Sequence, residues 1–290
     1  MAHRPRRSVL YMPASNARAI EKARGLACDA IILDLEDAVA PDAKALAREQ
    51  AVAAVAAGGF GGRELIVRCN GLDTPWGADD LAAAAQAGPD AILVPKVNGP
   101  DDIAAYDKAI AAAPVHTALW AMIETPASVF ALNAIGEAAR TSRLACWAIG
   151  LNDLAKAMGG RQTPDRAPHV PILSLAVAAA RANGLSVLDS VTNAIDDTAL
   201  LEAHCRQAAD IGFDGKTLIH PNQIETANRL FSPDGAEVAW ARAVIAAYAL
   251  PENAAKGALQ VDGRLAERLH LDQAERLVEI DAAIRAQVAA

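Results

Sequence analysis

The feature that most constrains the fold of this chain is a regular alternation between short apolar runs and alanine-rich segments of helical period. Each run is nearly continuous in apolar residues, is rich in β-branched side chains, and is bounded by polar residues, glycine or proline. Such runs are typical of strands buried on both faces, as in parallel sheets. They span 8–12, 30–35, 64–68, 91–95, 117–123, 144–150, 185–189 and 212–219.

Segments with helical spacing lie between these runs, at 17–25, 41–57, 101–113 and 171–183. Asn16 is expected to cap the first of them. A strand followed by a helix, repeated along the chain, predicts a (β/α)8 TIM barrel in the α/β class. The competing fold is a doubly wound sheet, which usually has a glycine-rich turn after its first strand. Here the first strand runs into the sequence YMPASN, so the barrel is favoured.

The pattern changes near residue 230. We expect a helix at 234–250, a loose stretch at 251–263 and a charged amphipathic helix at 272–286, with no further strand. The sequence therefore predicts a barrel domain at 1–230 and a C-terminal helical extension at 231–290. That extension could pack on the barrel or cover the active site of a neighbouring subunit.

Charge and hydropathy exclude several classes of protein. The chain has 27 Lys and Arg against 35 Asp and Glu, a net charge of −8, so nucleic acid and anionic membranes are poor partners. It has no apolar stretch of about 18 residues that could span a bilayer, and its N-terminal apolar run is too short for a signal peptide. We expect a cytoplasmic protein. The four cysteines are scattered without a CxxC pair, which argues against a zinc or redox site.

Carboxylates follow several of the predicted strands. Chemistry in a TIM barrel takes place at the carboxyl ends of the strands, which meet at one mouth. Glu36 and Asp37 follow the second run, Glu124 the fifth and Asp153 the sixth. Several acids at one mouth repel each other unless a cation lies among them.

Glu124 and Asp153 are the best pair for that cation because they follow adjacent strands. Two carboxylates, with water and substrate oxygens, suit Mg²⁺ rather than Zn²⁺. A structural alternative is helix capping, with Glu124 capping a helix that starts at Pro126 and Asp153 one that starts at Leu154. Both roles can hold at once.

Two cations also follow predicted strands. Arg68 offers a planar fork for a carboxylate, or it neutralises the neighbouring acids Asp34, Glu36 and Asp37. Lys96 could form a Schiff base, or it could hold an acid in place, which we favour.

These residues belong to segments that resemble the citrate lyase β-subunit (CitE-like) proteins of the HpcH/HpaI aldolase superfamily. The resemblance runs from Arg7 to about Ile224, with weaker similarity to about Leu277. It is strong because many short motifs occur in order and at matching spacings. They are RSVLYMP at 7–13, LDLEDAV at 33–39, VRCN at 67–70, PK at 95–96, ET at 124–125, NDL at 152–154, and GFDGK at 212–216 running into IHP at 219–221.

The resemblance implies a Mg²⁺-dependent barrel that makes or breaks a carbon–carbon bond in acyl-CoA substrates, commonly as a trimer. It assigns the metal to Glu124 and Asp153 and a substrate carboxylate to Arg68. It makes Arg7 a contact for the CoA phosphates, and we group Lys96 with it as a cofactor-binding residue. Asp37 matches the position at which HpaI-type aldolases carry a histidine base.

One segment departs from the family pattern. The family tail often carries an aspartate that reaches a neighbour's active site, and here Glu267 stands in its place, within the sequence DGRLAE at 262–267. This departure argues against CoA-ester hydrolysis and against malate-synthase-like activities. We expect the catalytic residues to be Arg68, Asp37, Glu36 and Glu267, the last acting from a partner chain.

The expected function is a Mg²⁺-dependent lyase. It would cleave, or form, a 3-hydroxyacyl-CoA such as citryl-CoA or malyl-CoA, giving an acyl-CoA and a 2-oxo acid. Two alternatives stay open. One is a class I aldolase that uses Lys96, and the other is a non-catalytic subunit that binds acyl-CoA.

Overall fold

The computed structural model describes residues 4–253 and 255–289. Two compact units divide the chain, one formed by Arg6–Arg229 and another that contains the residues from Leu230 onward. In the first unit, eight parallel strands close into a barrel in the order of the sequence, with the last strand paired to the first. They are β1 (Ser8–Pro13), β2 (Ala30–Asp34), β3 (Glu64–Arg68), β4 (Ala91–Val94), β5 (Ala118–Ile123), β6 (Leu144–Ile149), β7 (Ser186–Asp189) and β8 (Gly215–Leu218). The predicted TIM barrel is confirmed.

Helices connect these strands, as the alternation predicted. Asn16 caps the first of them by accepting a hydrogen bond from the Ala19 N–H at 3.1 Å. The predicted helix at 41–57 begins as a 3₁₀ turn, Pro41–Ala43, before the α-helix starts. The helices of this part of the chain are α1 (Ala17–Ala23), α2 (Lys44–Ala57), α3 (Gly77–Ala87), α4 (Pro100–Ala109), α5 (Pro126–Glu137), α6 (Leu151–Ala157), α7 (Val170–Ala182), α8 (Thr198–Ile211) and α9 (Ile224–Leu230).

The barrel interior is filled by apolar side chains from alternate positions of the strands. Ile32, Ile66 and Met122 belong to this buried cluster. Because side chains alternate along a strand, the residue two positions further on also points inward. Those next residues are Asp34, Arg68 and Glu124, at the carboxyl ends of β2, β3 and β5. The inward-facing positions of these strands are therefore apolar within the barrel and polar at its carboxyl end.

The second unit contains α10 (Gly235–Ala249), a two-stranded antiparallel hairpin of β9 (Ala258–Val261) and β10 (Arg264–Glu267), and α11 (Arg268–Ala289). The expectation of no further strand after residue 230 is therefore wrong. The hairpin turn is made by Asp262 and Gly263, both with positive φ (49° and 77°). Asp-Gly is the preferred pair for this kind of two-residue turn, so the signal was present in the sequence.

The last helix begins at Arg268, four residues earlier than expected, and packs with α10 around Val244, Tyr248, Ala266 and Ala274. No helix within the described residues has the length and apolar character needed to cross a membrane.

Candidate active site

A cavity of about 270 Å³ lies at the carboxyl ends of the barrel strands. Four residues that the sequence singled out line it together: Asp37, Arg68, Glu124 and Asp153. The rest of the wall combines apolar and hydrogen-bonding groups, namely Tyr11, Asp34, Ala38, Met122, Ile149, Gly150, Leu151, Asn152, Val191, Asn193, Thr217 and Ile219.

Arg68, the last residue of β3, is held in a two-pronged ion pair with Asp34. Its Nε and Nη2 donate to the two carboxylate oxygens of Asp34 at 2.7 and 2.6 Å. The remaining terminal nitrogen, Nη1, lies 2.6 Å from Glu36 Oε2 and 3.4 Å from Asp37 Oδ2. Arg68 therefore does neutralise its acidic neighbours, and each of its three side-chain nitrogens lies beside a carboxylate.

Asp34 is a site residue whose importance sequence analysis missed. Besides binding Arg68, its carboxylate accepts the backbone N–H groups of Glu36 and Ala38 at 2.9 and 3.1 Å. It thereby shapes the turn after β2. Its position at the end of β2, two residues beyond the inward-facing Ile32, was the signal that could have found it.

Glu36 and Asp37 stand on that turn in different environments. Glu36 is buried, and its Oε2 has no hydrogen bond of good geometry although Arg68 Nη1 is close. Burial raises the pKa of Glu36 to about 8; the Arg68 charge opposes this rise, and Asp37, Glu124 and Asp34 add to it. The Asp37 side chain is 63% exposed. The pKa of Glu36 is thus near neutral pH, as suits a group that accepts a proton during catalysis. Glu36 lies beside the cavity rather than on its lining.

Glu124 is buried at the end of β5, with 2% of its surface exposed. Its Oε1 accepts the backbone N–H of Lys96 at 2.8 Å. Burial raises the pKa of Glu124 to about 7, and the Asp153 and Asp37 charges add to that effect against the Lys96 N–H and Arg68. The rise reflects a buried carboxylate that lacks a sufficient counter-charge.

Lys96 reaches the site through its backbone. It has a positive φ of 51°, unusual for a residue other than glycine, and this conformation directs its N–H to Glu124. Its side chain is exposed, and the nearby carboxylates of Glu36, Asp153, Glu124 and Asp37 raise the pKa of its amine against the effect of desolvation. An amine must be neutral to attack a carbonyl, so this environment argues against a Schiff base.

The capping alternatives for the two acids are wrong. Helix α5 is capped by Thr125. Its hydroxyl accepts a hydrogen bond from the Ser128 N–H, and the Ser128 hydroxyl accepts one from the Thr125 N–H. Helix α6 starts at Leu151, so Asp153 lies within its first turn and does not precede it. Glu124 and Asp153 are therefore free of a capping role and lie on one cavity.

The donor set of this pair fits Mg²⁺. Within the described residues, no group of three or more histidine, cysteine, aspartate or glutamate side chains is arranged to hold a metal ion. A metal site made only of such side chains is therefore absent from this part of the chain. Mg²⁺ usually takes one or two carboxylates and fills its remaining positions with water and substrate oxygens. A buried carboxylate with a raised pKa, lining the same cavity as a second carboxylate, matches that requirement.

Two further predicted site residues, Arg7 and Glu267, lie in other parts of the chain. Arg7 precedes β1, at the opposite end of the strand, and is buried in an ion pair with Asp29, which accepts from its Nε and Nη2 at 2.8 Å. Arg7 does not line the cavity, and its expected contact with CoA phosphates stays a prediction. Glu267 ends β10 in the second unit, where it is exposed and its N–H donates to His270 Nδ1 at 2.9 Å. Its expected action on a neighbouring chain stays a prediction.

Tyr11 and two asparagine residues complete the cavity wall and were also missed. The Arg68 guanidinium lies 4.8 Å from the centre of the Tyr11 ring, and the Tyr11 hydroxyl donates to Met122 Sδ at 3.5 Å. Asn152 and Asn193 exchange amide hydrogen bonds of 3.1 and 2.9 Å across the rim. Because side chains alternate along a strand, the inward-facing Val9 could have revealed Tyr11. The asparagine pair joins the first turn of α6 to the loop after β7, and these are distant in sequence.

This fold and site define the class of protein. The family model for HpcH/HpaI aldolase/citrate lyase matches residues 7–221, and the chain belongs to that family. The chain is similar to the CitE protein of Mycobacterium tuberculosis, solved with magnesium, acetoacetate and coenzyme A. That structure superposes with a TM-score of 0.77 at 28% identity, covering 96% of this chain and 98% of the other.

Among particular relatives, a (3S)-malyl-CoA thioesterase of Cereibacter sphaeroides (strain KD131) is 48% identical over 288 residues, which are 99% of each chain. An L-malyl-CoA/beta-methylmalyl-CoA lyase of Cereibacter sphaeroides (strain ATCC 17025) is 33% identical, covering 95% of this chain and 94% of its own. The chain thus belongs among enzymes of CoA esters. A thioesterase this similar over its whole length removes the basis for our expectation that CoA-ester hydrolysis is disfavoured.

Proposed function

We propose that this protein is a Mg²⁺-dependent hydrolase of a short 3-hydroxyacyl-CoA thioester of the malyl-CoA type. Its products would be the free hydroxy acid and coenzyme A. The observation that carries the proposal is the cavity in which Glu124, Asp153 and Arg68 meet. The 48% identity to a (3S)-malyl-CoA thioesterase supports the choice of substrate and of reaction.

The cavity provides complementary groups for such an acyl chain. A malyl group carries a carboxylate next to a hydroxyl, with the thioester two carbons away. Nε and Nη2 of Arg68 are held by Asp34, so Nη1, which also lies beside Glu36 and Asp37, is the nitrogen that would bind that carboxylate. The Asn152 and Asn193 amides on the rim offer further hydrogen bonds, while Met122, Ile149 and Val191 form an apolar side.

Glu124 and Asp153 would hold the metal ion through carboxylate oxygens. When bound, Mg²⁺ would act as a Lewis acid on substrate oxygens and offset the repulsion between the two carboxylates. Glu124 has its orientation fixed by the Lys96 N–H, so the chain presents this ligand in one arrangement.

A base must take a proton from the water that attacks the thioester carbonyl. We assign this role to Glu36, acting through a water molecule, because burial raises its pKa to about 8 and Arg68 beside it binds the substrate. A base with a pKa near the working pH is the most effective one. The bond from carbon to sulfur then breaks, and coenzyme A leaves as a thiol after protonation. Asp37, which lines the cavity, is the second candidate for the base.

Carbon–carbon cleavage is the second candidate function, with the same substrate and the same site. The base would instead take the proton of the substrate hydroxyl, and the bond between the hydroxyl-bearing carbon and its CH₂ neighbour would break. Glyoxylate, a 2-oxo acid, would leave, and the acetyl-CoA enolate would take up a proton to give acetyl-CoA. The 33% identity to a malyl-CoA lyase favours it. The imine route through Lys96 has less support because that amine is surrounded by carboxylates. A purely binding subunit would have no use for the acid pair.

The proposal includes a cytoplasmic homo-oligomer, a trimer by resemblance to the family, in which Glu267 completes a neighbour's site. It rests on the family resemblance and on the exposed position of Glu267 at the end of β10. Coenzyme A thioesters and small hydroxy or oxo acids are its proposed partners.

The two reactions release different products, which makes the test direct. Purified protein is incubated with (3S)-malyl-CoA in Mg²⁺ or in EDTA. Hydrolysis releases a free thiol, which a disulfide reagent detects, and malate. Cleavage releases glyoxylate, which phenylhydrazine detects, and acetyl-CoA, which has no free thiol.

We expect thiol release in Mg²⁺ that is lost in EDTA and restored by excess Mg²⁺. Glyoxylate without thiol would replace hydrolysis with the lyase reaction. Equal activity in EDTA would contradict the role of the acid pair.

A further inference from the structure

Lys44, the first residue of α2, is buried behind the site with 6% of its surface exposed. Its ammonium donates to the carbonyl oxygens of Leu35 and Glu36 at 2.8 and 2.7 Å and to Asn70 Oδ1 at 2.8 Å. A lysine ammonium has three protons, and three acceptors take them all. This buried charge is therefore fully hydrogen bonded.

The place of Lys44 is unfavourable for a lysine on local grounds. A cation at the start of a helix opposes the helix dipole, and a buried ammonium loses its hydration. The contacts with the turn after β2 compensate for both costs. The hydrogen bonds of Lys44 to this turn, rather than any preference of the helix that it begins, thus explain its position.

The turn that Lys44 holds is the one that carries Glu36 and Asp37. On its inner side, the Asp34 carboxylate accepts the N–H groups of the turn. On its outer side, Lys44 binds the carbonyl groups, and Asn70 donates to Leu35 O at 2.9 Å. The backbone between β2 and α2 is clamped from both sides, and the two acids are fixed relative to Arg68.

Lys44 itself is closed to a ligand. The Trp76 ring lies 5.2 Å from Nζ, and each proton of the ammonium is already engaged. It also does not line the cavity. Any effect of Lys44 on the site must therefore pass through the turn.

We propose that Lys44 is a positioning residue. It fixes the turn so that the carboxylates of Glu36 and Asp37 stay beside Arg68 Nη1, and so aligns that nitrogen for the carboxylate of a substrate. This inference rests on the proposed function for the identity of the substrate carboxylate. The hydrogen bonds of Lys44 and Asp34 to this turn do not depend on which bond the enzyme breaks.

A double-mutant cycle tests the proposal by binding rather than by turnover. Lys44→Met removes the three donors and keeps most of the side-chain volume. Calorimetry gives the Kd for (S)-malate, in saturating Mg²⁺, for the wild type, Lys44→Met, the double variant Glu36→Gln/Asp37→Asn, and the triple combination. The Kd for Mg²⁺ is measured for each protein, since Glu124 and Asp153 should not depend on Lys44.

We expect Lys44→Met to weaken malate binding about tenfold in the wild type and less than about twofold in the Glu36→Gln/Asp37→Asn background, with Mg²⁺ affinity unchanged. Lys216→Met is the matched control, because Lys216 is also a fully buried lysine but pairs with Asp189 on β7. Its effect should be the same in both backgrounds. Lys44→Arg keeps the charge, but a guanidinium cannot donate to the same three acceptors in the same geometry. It replaces Lys44→Met in the cycle if Lys44→Met does not fold.

Equal losses from Lys44→Met, or from Lys44→Arg, in both backgrounds would overturn the proposal, as would a parallel loss of Mg²⁺ affinity. Unchanged malate binding in the single variant would also overturn it. A wild type that binds malate but releases neither thiol nor glyoxylate from malyl-CoA would contradict the proposed function alone, and the cycle would still decide the role of Lys44.

Discussion

The side-chain nitrogens of Arg68 already have carboxylate partners inside the protein, and this limits what its guanidinium can offer a substrate. Asp34 holds Nε and Nη2, and Glu36 and Asp37 lie beside Nη1, so the guanidinium plane is fixed and Nη1 has a defined direction. The cost of holding this group rigid is met by folding rather than by substrate binding. Such preorganisation is how a buried arginine favours a carboxylate in one orientation.

Arg68→Lys should therefore be far from conservative. A lysine keeps the charge but cannot bind Asp34 with two prongs and present a third nitrogen at once. We expect kcat/KM for malyl-CoA to fall on the order of 10²-fold, about 2.7 kcal/mol of transition-state stabilisation. Steady-state kinetics on the folded variant measure this. Near wild-type kinetics would mean that Arg68 only balances its acidic neighbours.

The raised pKa of Glu124 predicts how the stability of the metal-free protein depends on pH. Its pKa rises from 4.5 to about 7 on folding, so the folded state prefers the protonated form. This contribution is fully present below pH 4.5 and is lost as the pH rises through 7. In EDTA, the free energy of unfolding should therefore fall between pH 5 and pH 8, by on the order of 2 kcal/mol from this group.

Urea unfolding in EDTA at several pH values measures that slope. Glu124→Gln should flatten part of it, because an amide does not titrate. Glu36, with a pKa of about 8, adds a loss of the same sign that the variant retains. An identical slope in the variant would show that Glu124 is not the buried titrating group that the structure indicates.

At the scale of elements, the turn between β6 and α6 has no room for a side chain at Gly150. A Cβ there would lie 2.5 Å from Glu124 Cβ and 3.0 Å from Met122 Cε, and would collide with Glu124 Oε2. The absence of a side chain lets β6 and α6 bring Asp153 next to Glu124. The Gly150 backbone thus packs directly against the Glu124 side chain.

Gly150→Ala should consequently displace Glu124 and weaken Mg²⁺ binding by about tenfold or more, as disturbance of groups that orient metal ligands usually does. Calorimetric titration with Mg²⁺ measures it. Gly25→Ala is the matched control, because a Cβ at Gly25 meets only Lys22 O at 3.8 Å. Equal Mg²⁺ affinity in the two variants would contradict the close packing described for Gly150.

The elements themselves were largely predictable from sequence, and the contacts between them were not. The β3 strand lies where its apolar run predicted, and Glu124, Asp153, Arg68 and Asp37 do meet at one cavity, because parallel strands bring their carboxyl ends to one edge. The partner of Arg68 could not be chosen among three neighbouring acids by spacing alone. Nor could the Asn152–Asn193 pair be predicted, because one member lies at the start of α6 and the other in the loop after β7, and only the closed barrel brings them together.

The missed hairpin and the position of Arg7 have separate physical explanations. The hairpin of β9 and β10 was missed because its strands are short and mostly exposed, so the apolar pattern of a buried strand is absent. Arg7, expected from the resemblance to contact CoA phosphates, precedes β1 and so lies at the other end of the barrel from the cavity. Direction along the strand, and not proximity to it, decides which residues reach a TIM-barrel site.

At the scale of the whole molecule, the barrel and the C-terminal unit each have a core of their own. The barrel contains the cavity, the acid pair and Arg68, while the C-terminal unit contributes Glu267 on an exposed hairpin. If Glu267 acts on a neighbouring chain, the active unit is an oligomer.

Glu267→Gln should then lower turnover by about 10²-fold, because the neighbour's site loses a carboxylate that can exchange protons with the substrate or the leaving thiolate, and leave Mg²⁺ affinity unchanged. Co-expression with Glu124→Ala should restore part of the activity, because mixed oligomers contain some sites with both groups intact. Mixed oligomers without any rescue would confine catalysis to one chain. Full activity of Glu267→Gln alone would make this residue a surface acid.

The central claim is that Glu124 and Asp153 form a Mg²⁺ site at the mouth of the barrel. Calorimetric titration with Mg²⁺ tests it on the wild type, Glu124→Gln, Asp153→Asn and the surface control Glu49→Gln, with circular dichroism as the check on folding. We predict one site in the wild type and in Glu49→Gln, and loss of that site in each of the other two folded variants. Unchanged Mg²⁺ affinity in Glu124→Gln and Asp153→Asn would contradict the account.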